Sequence, residues 1–397
     1  MAGVGSYDDW TGNVIPDADM RSLDPEAVAA ASAVYSLSHP EDDVWDPAVL
    51  LSKAGFLKRG KVTVAAAIML GKASENLVPS SVRIRWRLLD VDGYETDSRV
   101  FDGPMVLSAV QAASAVRNGS VEIGGSAPRI VSAYRMEMLK EAIYNAVAHQ
   151  DYSMGGTVDV IERDSESVTV RSRGSFGPFQ PESFVLRRSS PSPSRNRFLR
   201  EAMSEAGMVP GRGSGIRGMY LSQIHRHFPL PRYSIYDDSV SVTIPGMRSG
   251  PFPRILDAVG VLDPEDAINL DRLCSGRFVS ERGMRSLISK GLADTSGGVP
   301  CAVFGVAEAA GGTDREAVLR LLEAGPCTRA DVVAMLSARS SKPMTREQLS
   351  VKATNILQSL RRDGTVEKAS GSTKSATYRI VPGGESGFIR RFRLLSW

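Results

Sequence analysis

The chain has 397 residues, room for two to four domains with sizeable cores, and its 42% hydrophobic and 7% aromatic content is ordinary for a globular protein. It holds no run of about 18 apolar residues and no basic N-terminal stretch leading into an apolar one. A membrane-spanning protein and a secretory signal are therefore not expected. Net charge is only +3 but unevenly laid out: acids dominate the first fifty residues against Arg21 alone, while residues 171–232 carry eleven arginines against Glu182, Glu201 and Glu205. The basic C-terminal end, closing on Arg390-Arg391-Phe392-Arg393, adds to this asymmetry, and a polyanion such as nucleic acid is the expected partner.

Cys274, Cys301 and Cys327 are odd in number and far apart. That argues against a disulfide framework or a zinc knuckle and for a reducing, cytoplasmic setting. None of His39, His149, His225 and His227 falls in an H-E-x-x-H pattern.

Residues 1–20, rich in Gly, Asp and Pro, read as a linker. Asp24-Pro25-Glu26 is a helix start, with Pro at N1 and an acid in the first turn, and the helix runs to about Ser36. Asp46–Ala54 is a second short helix. Gly55-x-x-x-x-Gly60-Lys61 mimics a phosphate loop, but Val62 stands where Ser or Thr would hold magnesium and no strand leads into Gly55. A P-loop, and with it a helicase motor, is excluded on that ground. Val62–Leu70 is apolar or alternating. Val82–Leu88 alternates as a strand with Arg83, Arg85 and Arg87 on one face, and Leu107–Val116 is helical.

The spacing predicts a helix over 128–149. Met138, Leu139, Ala142, Ile143, Ala146 and Val147 form its apolar stripe, and Glu141, Asn145 and His149, four apart, form a polar stripe beside it. A Glu and an Asn one turn apart suit a metal-bound phosphate: the carboxylate orients a water and the amide oxygen ligates magnesium. The same spacing also describes an ordinary amphipathic helix with a solvated face.

Thr157–Glu162 and Ser167–Ser172 read as a hairpin, and 173–196, rich in Gly, Pro and Ser, as a mobile loop. Helices follow at Asn196–Ala206 and Arg217–His227, then a strand at Val240–Ile244. Helices on one face of a mixed sheet make an α+β sandwich. Pro251 and Pro253 open a new unit. There Ala267–Cys274 and Ser280–Lys290, with a wing around Gly297-Gly298, resemble a helix-turn-helix. A fuller copy follows, with helices at Asp314–Ala324, Thr328–Ala338 and Lys352–Asp363 and strands at Val366–Lys368 and Thr377–Val381. This resembles a winged helix, whose third helix enters the major groove. Lys352, Asn355, Gln358, Ser359 and Arg362 fall on its polar face, and Lys374 and Arg379 of the wing suit phosphate. A winged helix used only for dimerisation fits the same pattern.

The run Glu141-Ala-Ile-Tyr-Asn145-Ala-Val-Ala-His149-Gln-Asp151-Tyr152 resembles the signature of bacterial transcriptional regulators with a RecG-like helicase C-terminal region. Gly55–Lys72, Phe101-Asp102-Gly103-Pro104 and Gly211-Arg-Gly213-Ser214-Gly215-Ile216 are similar to further blocks of that family. The resemblance covers roughly residues 20–246. It implies a Bergerat (GHKL) ATP-binding fold like that of gyrase and the histidine kinases, with an AlbA-like (Schlafen-type) domain upstream. On that reading the chain divides into a linker remnant (1–20), the N-terminal part (21–127) and core (128–250) of the Bergerat-like module, two winged helices (251–312 and 313–385) and a basic tail (386–397).

The resemblance implies a nucleotide site of Asn145, His149, Asp151, Gly174, Gly177, Gly211, Gly213, Ser214 and Gly215. Glu141 would be the general base and Asn145 the magnesium ligand. The acid that reads adenine in such sites has no counterpart in Arg173-Gly-Ser-Phe-Gly177. The expected protein is thus a homodimeric regulator of double-stranded DNA with ATP and magnesium as possible ligands. A magnesium-dependent ATPase acting with DNA and a non-catalytic oligomerisation scaffold are the alternatives.

Overall fold

The computed structural model describes residues 9–42, 46–123, 129–155, 157–164, 166–176, 180–188, 195–209, 214–294, 301–302, 314–323, 327–339, 345–370 and 376–381. The chain forms two compact units, Met1–Ser249 and Gly250–Trp397. The composition break at Pro251 marks their junction.

In the first unit, α1 (Pro25–Ser38) and α2 (Pro47–Lys53) begin alike. Asp24 and Asp46 accept hydrogen bonds from first-turn amides, and a proline sits at N1. A small hairpin of β1 (Leu57–Lys58) and β2 (Lys61–Val62) leads into α3 (Val64–Leu70), capped by Thr63 and buried at every residue. Its all-apolar sequence is that of a core helix. Next come β3 (Ile84–Leu89), β4 (Glu95–Phe101), α4 (Met105–Ala115), β5 (Ser120–Ile123), β6 (Arg129–Ser132), α5 (Met136–His149), β7 (Val158–Arg163), β8 (Ser167–Arg173), α6 (Pro181–Val185), α7 (Arg197–Glu205), α8 (Ser214–His225), β9 (Arg232–Ile235) and β10 (Ser239–Pro245).

Six of these strands form one sheet in the order β4-β3-β7-β8-β10-β9. β3 and β7 are parallel and the other neighbours antiparallel. Ile84, Trp86, Leu88, Val158, Val160, Val168, Val170, Val242 and Ile244 point to one face, where α4 and α5 cover them. Each such side chain contributes about 1.5–3 kcal/mol of burial. Glu162, fully buried, accepts from Trp86 Nε1 at 3.0 Å and from the Arg117 amide at 3.0 and 3.2 Å. It ties the end of α4 to the two parallel strands.

The second unit contains α9 (Pro251–Val259), α10 (Pro264–Cys274), α11 (Glu281–Ser289), β11 (Ala293–Asp294) and β12 (Cys301–Ala302). After these come α12 (Asp314–Glu323), β13 (Cys327–Thr328), α13 (Arg329–Arg339), α14 (Arg346–Arg362), β14 (Val366–Ser370) and β15 (Thr377–Ile380). β13, β15 and β14 form an antiparallel sheet in that order. Val318, Leu322, Val332, Leu336, Leu349, Leu357, Leu360 and Val366 close a core between it and the three helices. The molecule is of mixed α+β class.

Several elements differ from the sequence reading. The signature helix starts at Met136, because Arg129–Ser132, with β-branched Ile130 and Val131, pairs with Ser120–Ile123 as a ribbon. The stretch read as a mobile loop holds α6. The helix expected from Arg217 begins at Ser214. The third helix of the last module begins at Arg346, where Thr345 and Gln348 make a reciprocal capping box.

Candidate functional site

On α5, Ala142, Ile143, Ala146 and Val147 pack into the core and turn Glu141 and Asn145 to its half-buried flank. Asn145 Nδ2 donates to Glu141 Oε1 at 2.8 Å. The first turn of α8 closes on this pair. A Cβ at Gly215 would fall 1.9 Å from Glu141 Oε1 and 3.0 Å from Asn145 Nδ2. Only glycine lets the α8 backbone come so near the carboxyl. Burial pushes the Glu141 carboxyl from 4.5 up to about 7, the Asn145 hydrogen bond opposing it. The positive end of α8 favours an anion at this place.

Tyr233 lies near Glu141 and belongs to a small aromatic group. Burial foremost, with Tyr220 and Glu141 nearby, raises the Tyr233 hydroxyl well above its ordinary value. Phe176 stacks obliquely on Tyr233 at 6.0 Å and edge-on against Phe184 at 6.1 Å. Arg217, one turn along α8, donates to the Val185 carbonyl and fastens α6 to α8. The sequence reading missed Tyr220 and Tyr233. The alternation of Arg232-Tyr-Ser-Ile235 was the available signal for Tyr233.

His149, Asp151 and Gly174 gather about the C-terminal end of α5. His149 is exposed. Asp151, 6% exposed, pairs with Arg195 and accepts from the Ser153 amide at 3.0 Å. Its own amide donates to the Arg173 carbonyl at 2.8 Å. Asn196, wholly buried, donates to the carbonyls of Ala148 and Gln150 at 3.2 and 2.7 Å. Gly174 has φ +115°, and a Cβ there would meet Asp151 Cβ and the His149 carbonyl at 3.4 Å. Here Asp151 caps a turn and holds the end of β8 to the start of α7. Gly177, Gly211 and Gly213 lie outside the described residues, and Ser214 is the first residue of α8. Among the described residues no group of three or more His, Cys, Asp or Glu stands ready for a metal ion.

Along α14 the residues expected at DNA divide. Asn355, Gln358 and Arg362 are exposed in one stripe, joined by Val351 and Arg361, which the sequence reading left out. Lys352 turns to α12 and pairs with Asp314, and Ser359 accepts from Arg315 Nη1 at 2.8 Å. Arg379 pairs with Glu367 at 2.7 Å across the β14–β15 ladder. Lys374 lies outside the described residues.

No family model matches the chain, and no curated protein matches it. Among solved structures it is similar to the DIP2311 protein from Corynebacterium diphtheriae. The TM-score is 0.55 at 20% identity, over 94% of this chain and 70% of that one. At that identity the likeness concerns the fold, which the two share along nearly the whole of this chain. Among the described residues no helix is long and apolar enough to cross a membrane.

Proposed function

We propose that this chain is a DNA-binding transcriptional regulator whose last module, 314–381, is a winged helix that reads duplex DNA with α14. The observation that carries the reading is topological. Helix, short strand, two helices and a two-stranded ribbon follow in the order α12-β13-α13-α14-β14-β15, with β15 central in the sheet. This is the arrangement in which a third helix stands clear to enter a major groove. Asn355 and Gln358 carry amides suited to adenine edges, and Arg361 and Arg362 carry guanidinium groups suited to guanine or phosphate. The unit at 251–302 is read as a reduced version of the same module. Two copies of the chain acting as a homodimer would read paired half-sites.

Fluorescence titration of the full-length chain onto labelled duplex DNA at several salt concentrations tests this. The Asn355→Ala/Gln358→Ala/Arg362→Ala variant is expected to bind at least about tenfold more weakly than wild type, since each good base contact is worth about 1–3 kcal/mol. Unchanged affinity and salt dependence reject the reading.

We read the first unit as a Bergerat-like module with a degenerate nucleotide site. What supports the phosphate end of such a site is that Glu141, Asn145 and the N-terminus of α8 stand together. Magnesium, when bound there, would neutralise phosphate charge, and Asn145 would offer its amide oxygen. The residues do not fit the adenine end, for the described part of 173–177 holds no carboxylate. Asp151 is already engaged by Arg195 and the Ser153 amide. No hydrolytic step follows. In calorimetric titrations with magnesium, ATP and GTP are expected to bind alike, and Glu141→Ala to change both together. A preference for ATP of tenfold or more, or no heat from either, contradicts this.

A further inference from the structure

The six-stranded sheet is covered by α4 and α5 on one face. On the other face, strand register arranges the side chains in rows. β3 carries Arg85 and Arg87, with Arg83 immediately before it, and β8 carries Arg171 and Arg173, with β7 between them. Arg85, Asp159 and Arg171 stand side by side in one row, and Arg87, Ile161 and Thr169 in the next. The two arginine rails are two strand spacings apart, about 10 Å, and successive arginines on a rail are about 6.6 Å apart.

The carboxylates nearby are too few to neutralise them. Asp159 holds Arg85 at 2.8 Å, Asp238 holds Arg173 at 2.6 Å, and Glu95 lies 3.8 Å from Arg87. Arg83, Arg171 and Arg163 at the end of β7 are exposed, and among the described residues no carboxylate lies within ion-pair distance of them. Arg83 has only the Thr157 hydroxyl, at 3.4 Å. Like charges set out on one pleated face repel one another, and a polyanion laid across them relieves that cost. None of the outward side chains of β3, β7 and β8 is aromatic, so the face has nothing on which to stack an unpaired base. Apart from Leu89 and Ile161, its side chains on these three strands are polar or cationic, which suits phosphate and sugar rather than base edges. Its rail separation falls between the widths of the minor and major grooves, about 6 and 12 Å. Long arginine side chains on two rails so spaced can reach toward the phosphates on either side of a groove.

We propose that the face of this sheet opposite α4 and α5 is a second contact for duplex DNA, gripping the two phosphate backbones through the arginines along β3 and β8 and through Arg163. The choice of duplex DNA as the polyanion rests on the reading of α14 given above; the cationic face itself does not. The test compares the full-length chain with its Arg83→Gln/Arg163→Gln/Arg171→Gln variant and with the matching triple lysine variant. Each is titrated onto a duplex of about three helical turns between 50 and 200 mM salt.

The glutamine variant is expected to lose about 10- to 100-fold in affinity, with the slope of log K against log salt shallower by about 2–3. The lysine variant should keep the wild-type slope. Discrimination between sequences should not change in either. If the triple glutamine variant fails to fold, Arg171→Gln alone is expected to reduce the slope by about 1. Wild-type affinity and slope in a folded glutamine variant overturn the proposal. They do so independently of the α14 reading, which stands or falls on whether Asn355→Ala/Gln358→Ala removes sequence discrimination.

Discussion

Glu141 shows how one backbone position sets the chemistry of a side chain. Its spacing from Asn145 was legible in the sequence, because four residues along a helix is one turn. The close approach of Gly215 was not. That depends on where α8 lands after a long excursion through α6 and α7, and no local pattern encodes it. The consequence is a carboxyl that burial pushes up to about 7 from 4.5. A carboxyl raised in the folded state keeps its proton where the unfolded chain has lost it. Stability should therefore fall as pH rises from about 4.5 to about 7 and level off beyond. Glu141→Gln removes the ionisation but keeps the shape. Urea denaturation should find the variant equal to wild type near pH 4. Its advantage should open through the window above and reach about 2–3 kcal/mol at pH 8. Parallel stability curves for the two proteins would mean that the carboxyl is solvated and the packing of Gly215 against it carries no energetic weight.

At the scale of elements, what the sequence announced was whatever local chemistry decides. α1 and α2 were visible from Asp-Pro starts, and their caps are the hydrogen bonds that such starts imply. The β7–β8 hairpin was visible from alternation. What stayed hidden is non-local. β4 is exposed at nearly every residue, so it carries no apolar alternation; its partner β3 makes it a strand. The parallel pairing of Ile84 with Val158 joins segments far apart in the chain, and only the closed sheet specifies it. β13 and β11 are two residues each, too short to leave a period. The same holds for the polar face of α14. Helical spacing put Lys352 and Ser359 beside Asn355. The partners Asp314 and Arg315 on α12, however, sit in a segment whose docking no heptad rule gives. For the arginine ladder, alternation identified one rail on β3. The register across β7 was needed to set Arg171 in the same row as Arg85.

At the scale of the whole molecule, each unit closes a core of its own. Ile143 of α5 is fully buried among the side chains beneath the six-stranded sheet, and Leu360 of α14 is fully buried among those of α12, α13 and β14. A core shared by all elements would make unfolding one cooperative event; separate cores permit two. Scanning calorimetry of the full-length chain is therefore expected to resolve two transitions. Leu360→Ala leaves a cavity whose cost is about 2–5 kcal/mol and should lower one transition by roughly 10 °C while the other stays where it was. Ile143→Ala should do the reverse. A single transition displaced alike by both substitutions would show that the two cores melt as one.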